Sequence, residues 1–278
     1  MATEPRPLSR RTLLAFGAAA AAGVLVGSTR SAAASAGGVI LPTGITPQSE
    51  ISGVPTYYES TGAPYSFSYD DSFYGRMEIW YNFWYGNTPS TWVKPGEIWS
   101  YGAYVDKPGW HNVGRAFDLT RLFLTVNSTR TQVFNGRYDQ WRSLSPSTQA
   151  VLRKRYWATA ASLHYHFEDV LTYPYRNSDG TYTHTNHIHI DNGDSGSGNS
   201  TFSTVDYPQV LSVQHCLAYI WNYADVPLDG VWSQTTANRA RDALARAGIS
   251  GGLTDNPPYN WLEFNRASLR FGTGRQSY

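Results

Sequence analysis

Alternating apolar and polar positions divide much of the chain into helices and strands. The clearest helical pattern is "SPSTQAVLRKRYWATAASLHYHFEDVL", in which Ser145 can cap the helix and Pro146 suits its first turn. Its apolar stripe, at steps of three and four, comprises Leu152, Tyr156, Ala160, Leu163 and Phe167. "RMEIWYNFWYGNT" has the same spacing and ends at a glycine, whereas "EIWSYGAYV", "RAFDLTRLFL" and "HIHID" predict strands.

The pattern changes along the chain and predicts several units. Residues 37–60 are rich in Gly, Pro and Ser and lack periodicity, which indicates a lead-in segment. The patterns that follow predict one α+β unit over residues 61–195. "GSGNSTFST" at 196–204 has the composition of a linker. Beyond it, residues 205–278 contain two helical patterns separated by a Pro-Leu-Asp-Gly turn. The predicted fold class is therefore α+β, a small antiparallel sheet with flanking helices, followed by a small all-α domain.

The first 36 residues indicate an export signal rather than part of the fold. Arg10 and Arg11 precede an apolar run, and Ala34-Ser35-Ala36 is a suitable cleavage site. Paired arginines before such a run resemble a twin-arginine signal. A membrane anchor is the alternative, but the run is shorter than the roughly 20 residues that a spanning helix needs. We therefore expect a secreted or cell-wall associated protein with no stable membrane anchor after cleavage.

Composition and charge restrict the classes of function. Hydrophobic residues make up 41% of the 278 positions, as in ordinary globular proteins, and 10 Trp and 20 Tyr make the chain rich in aromatics. Cys216 is the single cysteine, so no intramolecular disulfide can form. Cleavage after residue 36 removes four of the 22 basic and one of the 21 acidic residues, which leaves a net charge of −2. Without a basic footprint or a Gly-rich phosphate loop, the sequence argues against nucleic-acid binding.

Two stretches carry the candidate chemistry. "GWHNVGRAFDLTRL" places His111 seven positions before Asp118, and "THTNHIHID" contains His187 and His189. Residues two apart in a strand share a face, so His187, His189 and Asp191 are predicted to project together. Two histidines and an aspartate, with one position left open for water, make up a common type of catalytic zinc site.

Each stretch also has a plainer interpretation. A lone His-x-His pair is often two surface histidines, and a lone histidine with an aspartate seven positions later is a weak motif, so only their joint appearance favours a site. His164 and His166 form another such pair, but positions two apart diverge on a helix, and exposure or packing is expected. The aromatic side chains either stack on sugars or fill a core that lacks disulfides, and we expect the core for most of them.

The paired stretches resemble a known group of enzymes. "HNVGRAFD" followed by "HTNHIHID" is similar to the signature motifs of the zinc peptidases that unite D-alanyl-D-alanine carboxypeptidases, lysostaphin-type endopeptidases and the hedgehog fold. Within this group, "FEDVLTYPYRNSDGTYTHTNHIHID" most resembles the extensin-like C-terminal family. The resemblance covers roughly residues 75–195.

The resemblance implies a role for each residue of the motifs. Zinc would be bound by three side chains, namely His111, Asp118 and His189. His187 would be the catalytic histidine, which assists proton transfer or stabilises the oxyanion when water attacks an amide carbonyl. His184 and Asp191 would orient the ligands from behind.

Substrate contacts transfer less directly from the resemblance. Carboxypeptidases of this group have an arginine upstream of the first ligand that binds the terminal carboxylate, but "EIWSYGAYVDKPGW" has none. Lys107 lacks the bidentate fork and Arg115 follows the first ligand, which argues against a strict carboxypeptidase. Extensin-like members also commonly have a cysteine pair that this chain lacks. Trp110, beside His111, is expected at the mouth of the site, and Arg115 is the other candidate substrate-binding residue.

The C-terminal segment resembles the small three-helix peptidoglycan-binding module. The positions that match its pattern are Val210, Gln214, Leu217, Asp229, Gly230, Trp232 and Thr236. Trp221 and Ser233 stand where glycines are usual. A helical cap on the first domain is the alternative, because core helices have the same periodicity.

Together these features predict a secreted zinc hydrolase of peptide bonds in bacterial peptidoglycan, of the endopeptidase or D,D-carboxypeptidase type. The alternative is a non-catalytic cell-wall binding protein whose metal site is structural or vestigial, and a weaker one is a secreted glycan-acting protein. His187 separates the first two, because a structural zinc site is closed by a fourth ligand whereas a catalytic site keeps a position open.

Overall fold

The computed structural model describes residues 43–106, 108–193 and 198–278, and over these residues it contains both helices and sheets. The described strands are β1 Ile45–Gln48, β2 Glu50–Ile51, β3 Val54–Tyr58, β4 Ala63–Pro64, β5 Phe67–Asp70, β6 Trp92–Ser100, β7 Ala116–Val126, β8 Thr129–Asn135, β9 Asp169–Leu171 and β10 Ile188–Asp191. The described α-helices are α1 Asp71–Gly86, α2 Tyr138–Trp141, α3 Pro146–His166, α4 Tyr207–Tyr219, α5 Gln234–Arg246 and α6 Tyr259–Thr273. The expected combination of sheet and helices is confirmed.

The main sheet is larger than the sequence pattern predicts. Its strands lie in the order β2, β3, β6, β7, β10, β9, with β4 paired to β3 and β8 paired to β7. The pairings are antiparallel except that between β3 and β6, which is parallel. β1 and β5 form a separate antiparallel pair. The long strand β7 therefore lies in the middle of the sheet, with β10 against its first half.

The two long helices next to the sheet begin at capped positions and pack against each other. Asp70 caps α1 by accepting hydrogen bonds from the amides of Ser72 and Phe73, and Ser145 caps α3 as its sequence predicts. Between α1 and α3, the buried indole N–H groups of Trp80 and Trp84 donate to hydroxyl oxygens of α3. These bonds matter because a buried indole N–H without an acceptor would destabilise the core.

The segment expected to be a lead-in contributes to the sheet. β2 and β3 lie within residues 37–60, and β3 pairs in parallel with β6, so Thr56 faces Ile98. Ile51 and Val54 are buried in the core. The boundary placed at residue 61 therefore falls inside the sheet, because pairing with a strand about 40 residues away, rather than local periodicity, orders these short strands.

The C-terminal helices pack against α3. A further helix, α6, follows the two that the pattern indicates, and the core formed by the described residues runs without a break from the sheet into α4, α5 and α6. α6 approaches α3 closely at Gly272, where an added Cβ would lie 2.5 Å from the Cβ of Ala158. The His215 ring of α4 stacks on Trp157 of α3 with 4.2 Å between ring centroids.

Several expectations concern residues at or beyond the limits of the described chain. The export signal at 1–36, Lys107 and part of the linker at 196–204 lie outside the described residues. Among the residues that are described, no helix has the length and apolar character needed to cross a membrane.

The predicted core role of the aromatic residues is met in part. Trp80, Trp84 and Trp92 are buried, as expected, whereas Trp99 and Trp110 are partly exposed. The second His-x-His pair is also buried, His164 against Trp261 and His166 against Phe83 and Tyr165. For this pair, packing is confirmed and exposure is wrong.

Candidate metal centre

Strand pairing brings the two histidine stretches together. β10 runs antiparallel to β7, and in this register His189 lies directly opposite Asp118. The Nδ1 atom of His189 is 2.9 Å from Oδ1 of Asp118. Two residues that are 71 positions apart therefore become cross-strand neighbours through the sheet register.

His111 reaches the same aspartate from a tight turn. The segment Trp110–Val113 is a single 3-10 turn that ends at Gly114, which has a left-handed φ of 68°. The turn is held against the start of α1, because the amide of Asp70 donates to the Gly114 carbonyl over 3.0 Å. His111 is buried, and its Nε2 atom lies 3.3 Å from Oδ1 of Asp118.

The three side chains can hold one metal ion. One ligand atom from each of His111, Asp118 and His189 lies within 4.8 Å of the others. The second nitrogen of each ring has its own partner: Nδ1 of His111 contacts the Ala103 carbonyl, and Nε2 of His189 lies 3.2 Å from Oδ2 of Asp191. Such partners fix the tautomer and orientation of metal-binding histidines. Two imidazole nitrogens and one carboxylate oxygen are donors of the kind that bind a divalent metal ion.

Asp118 and the histidines around it change one another's pKa. Burial alone would raise the pKa of Asp118, but the charges of His187 and His111 and the hydrogen bonds from His111 and His189 hold it well below its usual range. Burial would lower the pKa of His189, yet hydrogen bonds to Asp118 and Asp191 raise it to about 10. A positively charged His189 between two carboxylates is the arrangement that a divalent cation would replace, with release of a proton.

His187, predicted to be the catalytic histidine, lies beside the three ligands. Its Nε2 atom is 3.4 Å from Oδ1 of Asp118, and its Nδ1 atom is 2.7 Å from Oδ1 of Asn186. Because an amide oxygen only accepts, Nδ1 carries a hydrogen, and Nε2 is the ring nitrogen that faces Asp118. The ring of Tyr101 meets the His187 ring edge to face, with 6.3 Å between centroids.

The two residues predicted to orient the ligands are also in contact with the group. Asp191 is buried, and besides its contact with His189 its Oδ1 accepts from the amide of Gly193 over 2.9 Å. The ring of His184 lies 5.2 Å from that of His187 and 5.7 Å from that of His189. Burial and the neighbouring charges of His187 and His189 hold the pKa of His184 well below its usual value.

The two predicted substrate-binding residues occupy different surroundings. Trp110 is partly exposed, and its Cζ2 atom would lie 3.9 Å from a Cβ added to Gly193, two residues after Asp191. The Nε atom of Arg115 lies 3.6 Å from Oδ2 of Asp70, the residue that caps α1. The structure thus places Trp110 beside the end of β10 and turns Arg115 toward the start of α1.

Sequence reasoning missed several residues that surround His187. The amide of Asp139 donates to the carbonyl of Thr185 over 2.8 Å and so fixes the segment before His187. The guanidinium carbon of Arg137 lies 5.6 Å from the centre of the Tyr101 ring. Tyr101, Arg137 and Asp139 lie outside the two histidine stretches, whereas Thr185 and Asn186 belong to "THTNHIHID" and directly precede His187.

No protein-family model, curated protein or solved structure matches this chain. Its function is therefore inferred from the chemistry of its own residues.

Proposed function

We propose that this protein is a secreted, zinc-dependent hydrolase of peptide bonds in bacterial peptidoglycan. One observation carries the proposal: His111, Asp118 and His189 converge within 4.8 Å, and His187 stands beside them. Each histidine of the convergent group also has its second ring nitrogen occupied, by the Ala103 carbonyl in one case and by Asp191 in the other. Such second partners are typical of metal-binding histidines and less expected of surface ones.

The number of ligands favours catalysis over a structural role. Structural zinc sites are commonly closed by four protein ligands, whereas catalytic sites have three and leave a position open. Among the described residues, the group that satisfies metal-ligand distances has three members and does not include His187. This count supports an open position at the centre.

His187 has the geometry of a residue that moves a proton. Zinc bound by the three ligands would polarise the scissile carbonyl and lower the pKa of a water molecule to near 7. Nδ1–H of His187 is held by Asn186, so Nε2 can accept a proton from the attacking water and return it to the departing amine. The Tyr101 ring packs against the His187 ring, and the hydrogen bond from the Asp139 amide to the Thr185 carbonyl holds the backbone two residues before His187.

The substrate class follows from the sequence. The amino-terminal segment resembles a twin-arginine signal, and the C-terminal helices carry the pattern of a peptidoglycan-binding module. In the structure, two members of that pattern interact, since Nε2 of Gln214 donates to Oδ1 of Asp229 over 2.9 Å. Export and a wall-binding module together favour the peptide bonds of peptidoglycan as substrate.

The decisive experiment combines metal analysis with digestion of purified peptidoglycan. The exported form, residues 37–278, is expected to hold about one zinc ion per chain, as a single site of this type requires. His189→Ala should lose the metal, and His187→Ala should keep the metal but release no new amine termini detectable by mass spectrometry. His215→Phe, which alters a buried histidine of α4, is the matched control and should retain both properties.

Two other results would point away from this function. Stoichiometric zinc with an unchanged digest would favour the non-catalytic wall-binding protein. A chain that takes up no metal when zinc is supplied would contradict the proposal, because the proposed reaction requires bound zinc.

A further inference from the structure

Three tyrosines lie beside the metal centre and are not part of the hydrophobic core. Tyr175, Tyr182 and Tyr207 are partly or largely exposed, and none of them belongs to the hydrophobic core formed by the described residues. Together with Arg176, which follows Tyr175 in the chain and lies over the Tyr182 ring, they are called here the tyrosine surface. Large aromatic side chains that stabilise a fold are usually buried, so the exposure of these rings favours a role in binding.

The tyrosine surface begins at the metal centre. The ring of Tyr175 lies 5.7 Å from that of His184, and the His184 ring in turn contacts His187 and His189. On its other side, Tyr175 lies 5.8 Å from the ring of Tyr207 in α4. A ligand that covers Tyr175 would therefore be two ring contacts from a predicted zinc ligand.

Arg176 and Tyr182 extend the surface outward from a well-ordered loop. The Arg176 guanidinium carbon is 4.9 Å from the centre of the Tyr182 ring, and 47% of the Tyr182 surface is exposed. The loop between them is closed by hydrogen bonds from the Asn177 amide to the Thr181 carbonyl and from the Gly180 amide to the Asn177 carbonyl. The rings are thus held in place before any ligand arrives, which lowers the entropic cost of binding.

The C-terminal motif fixes the other end of the surface. Gly230 has a φ of 74°, and a Cβ added to it would overlap the ring of Tyr207. Gln214 holds the turn by accepting from the Gly230 amide over 2.7 Å and by donating to Asp229. The glycine of the Asp-Gly pattern thus makes room for the Tyr207 ring, which explains why the turn lacks a side chain there.

We propose that the tyrosine surface is a binding subsite for N-acetylhexosamine rings of a glycan strand. A tyrosine ring offers an apolar face and a polar hydroxyl end, which suits a pyranose with one C–H face and a rim of hydroxyls. Arg176 adds donors for carbonyl and hydroxyl oxygens of the sugar. A purely apolar partner would leave these hydroxyls and the guanidinium without acceptors, so a polar ligand that also offers an apolar face fits better.

The subsite rests on the proposed function, because the metal centre supplies the reason for a glycan to lie beside it. A sugar stacked on Tyr175 would position the peptide that it carries next to His187 and His189. The tyrosine surface would then select peptides attached to glycan over free peptides.

Isothermal titration of the exported form with the N-acetylglucosamine hexamer tests this subsite. Tyr175→Ala and Tyr182→Ala should each weaken binding about ten-fold, in line with loss of one aromatic stacking contact. Tyr259→Ala is the matched control, because this tyrosine is 50% exposed on α6 and lies outside the tyrosine surface, and its dissociation constant should not change. Tyr182 is exposed as well, so its variant should retain the fold even if Tyr175→Ala does not.

The titration is repeated in Asp118→Asn without zinc, where hydrolysis cannot occur. Retained hexamer binding in that background would support the subsite even if no peptide bond is cleaved, so the two proposals can fail separately. Absence of binding by the parent chain at millimolar hexamer would overturn the subsite. An unchanged dissociation constant in Tyr182→Ala would overturn it as well.

Discussion

At the scale of single residues, the orientation of each histidine ligand depends on the group that contacts its second ring nitrogen. Asp191 is buried and contacts Nε2 of His189, which leaves Nδ1 directed at Asp118. A carboxylate in this position also raises the basicity of the metal-binding nitrogen. The imidazole of His189 is thus oriented by a residue that would not itself bind the metal.

We expect Asp191→Ala to weaken zinc binding by about 10-fold to 100-fold without abolishing it, because such partners tune metal affinity to this extent. Competition with a chromophoric chelator measures the change. Asp242→Asn is the control, since Asp242 is exposed and pairs with Arg239 on α5. Equal affinities for Asp191→Ala and the parent chain would show that Asp191 does not orient His189.

Gly114 combines two constraints at the end of the His111 turn. Its φ is 68°, and an added Cβ would lie only 2.6 Å from the Asp70 amide nitrogen. We expect Gly114→Ala to lower the free energy of unfolding by more than the about 1–2 kcal/mol that a left-handed alanine costs. Gly44→Ala isolates that backbone cost, since Gly44 has a φ of 83° and a Cβ added there would meet nothing within 4 Å. Urea denaturation compares the two variants, and equal losses would exclude the steric contribution.

At the scale of secondary-structure elements, Glu59 joins the end of β3 to β7 and to the segment before α2. Its buried carboxylate accepts from Thr120, Arg121 and Arg137. Burial would raise its pKa, but these hydrogen bonds and the charge of Arg121 lower it, so the group is ionised at neutral pH. Arg137 in turn lies over Tyr101, beside His187. The orientation of His187 therefore depends on a junction between elements.

We expect Glu59→Gln to lower the free energy of unfolding by about 3 kcal/mol, because it leaves the largely buried Arg121 without a counter-charge, whereas Arg137 keeps its ion pair with Asp139. Glu97→Gln is the matched control. Glu97 pairs with Arg130, whose side chain is 55% exposed, and such a pair contributes at most about 1 kcal/mol. Chemical denaturation distinguishes the two, and a loss for Glu59→Gln no larger than the control would contradict this role.

The elements that sequence could predict are those whose information is local. Ser145 accepts from the amide of Thr148 at the start of α3, and β7 and β10 lie where the strand patterns indicate. β3 was missed because its order comes from parallel pairing with β6, which leaves no periodic signal. His187 and His189 both face Asp118, as strand geometry predicts. The contacts of the Ala103 carbonyl with His111 and of Tyr101 with His187 could not be predicted, because they depend on the path of the chain after β6.

At the scale of the whole molecule, two buried histidines lie where α3 meets the C-terminal helices: His164 contacts Trp261 of α6, and His215 of α4 stacks on Trp157. A third, His166, is buried against Phe83 of α1. Burial lowers the pKa of His164 and His166 to about 3 and that of His215 to about 4, from an ordinary value of 6.5. The unfolded chain thus binds more protons than the folded chain between these values. The contribution of these three histidines to the free energy of unfolding is therefore fully present above about pH 6.5 and is lost as the pH falls toward 3 to 4.

The free energy of unfolding falls between pH 7 and about 4.5, and we expect this fall to be about 2 kcal/mol smaller in His164→Phe than in the parent chain. The reason is that the variant lacks one buried ring that takes up a proton on unfolding. Denaturation at both pH values gives the difference. The contribution of His189, whose raised pKa acts in the opposite direction, is the same in both proteins and cancels. Parallel pH profiles for the two proteins would contradict the assignment.

The continuous core has a geometric consequence for the function proposed above. Because α3 packs against α6 at Gly272 and also against α4, the C-terminal helices cannot swing on a hinge without opening the core. A glycan held near Gly230 would therefore sit at a constant separation from His189. The packing of α3, α4 and α6 would then fix the distance along the polymer between the point where the glycan is bound and the peptide bond that is cut.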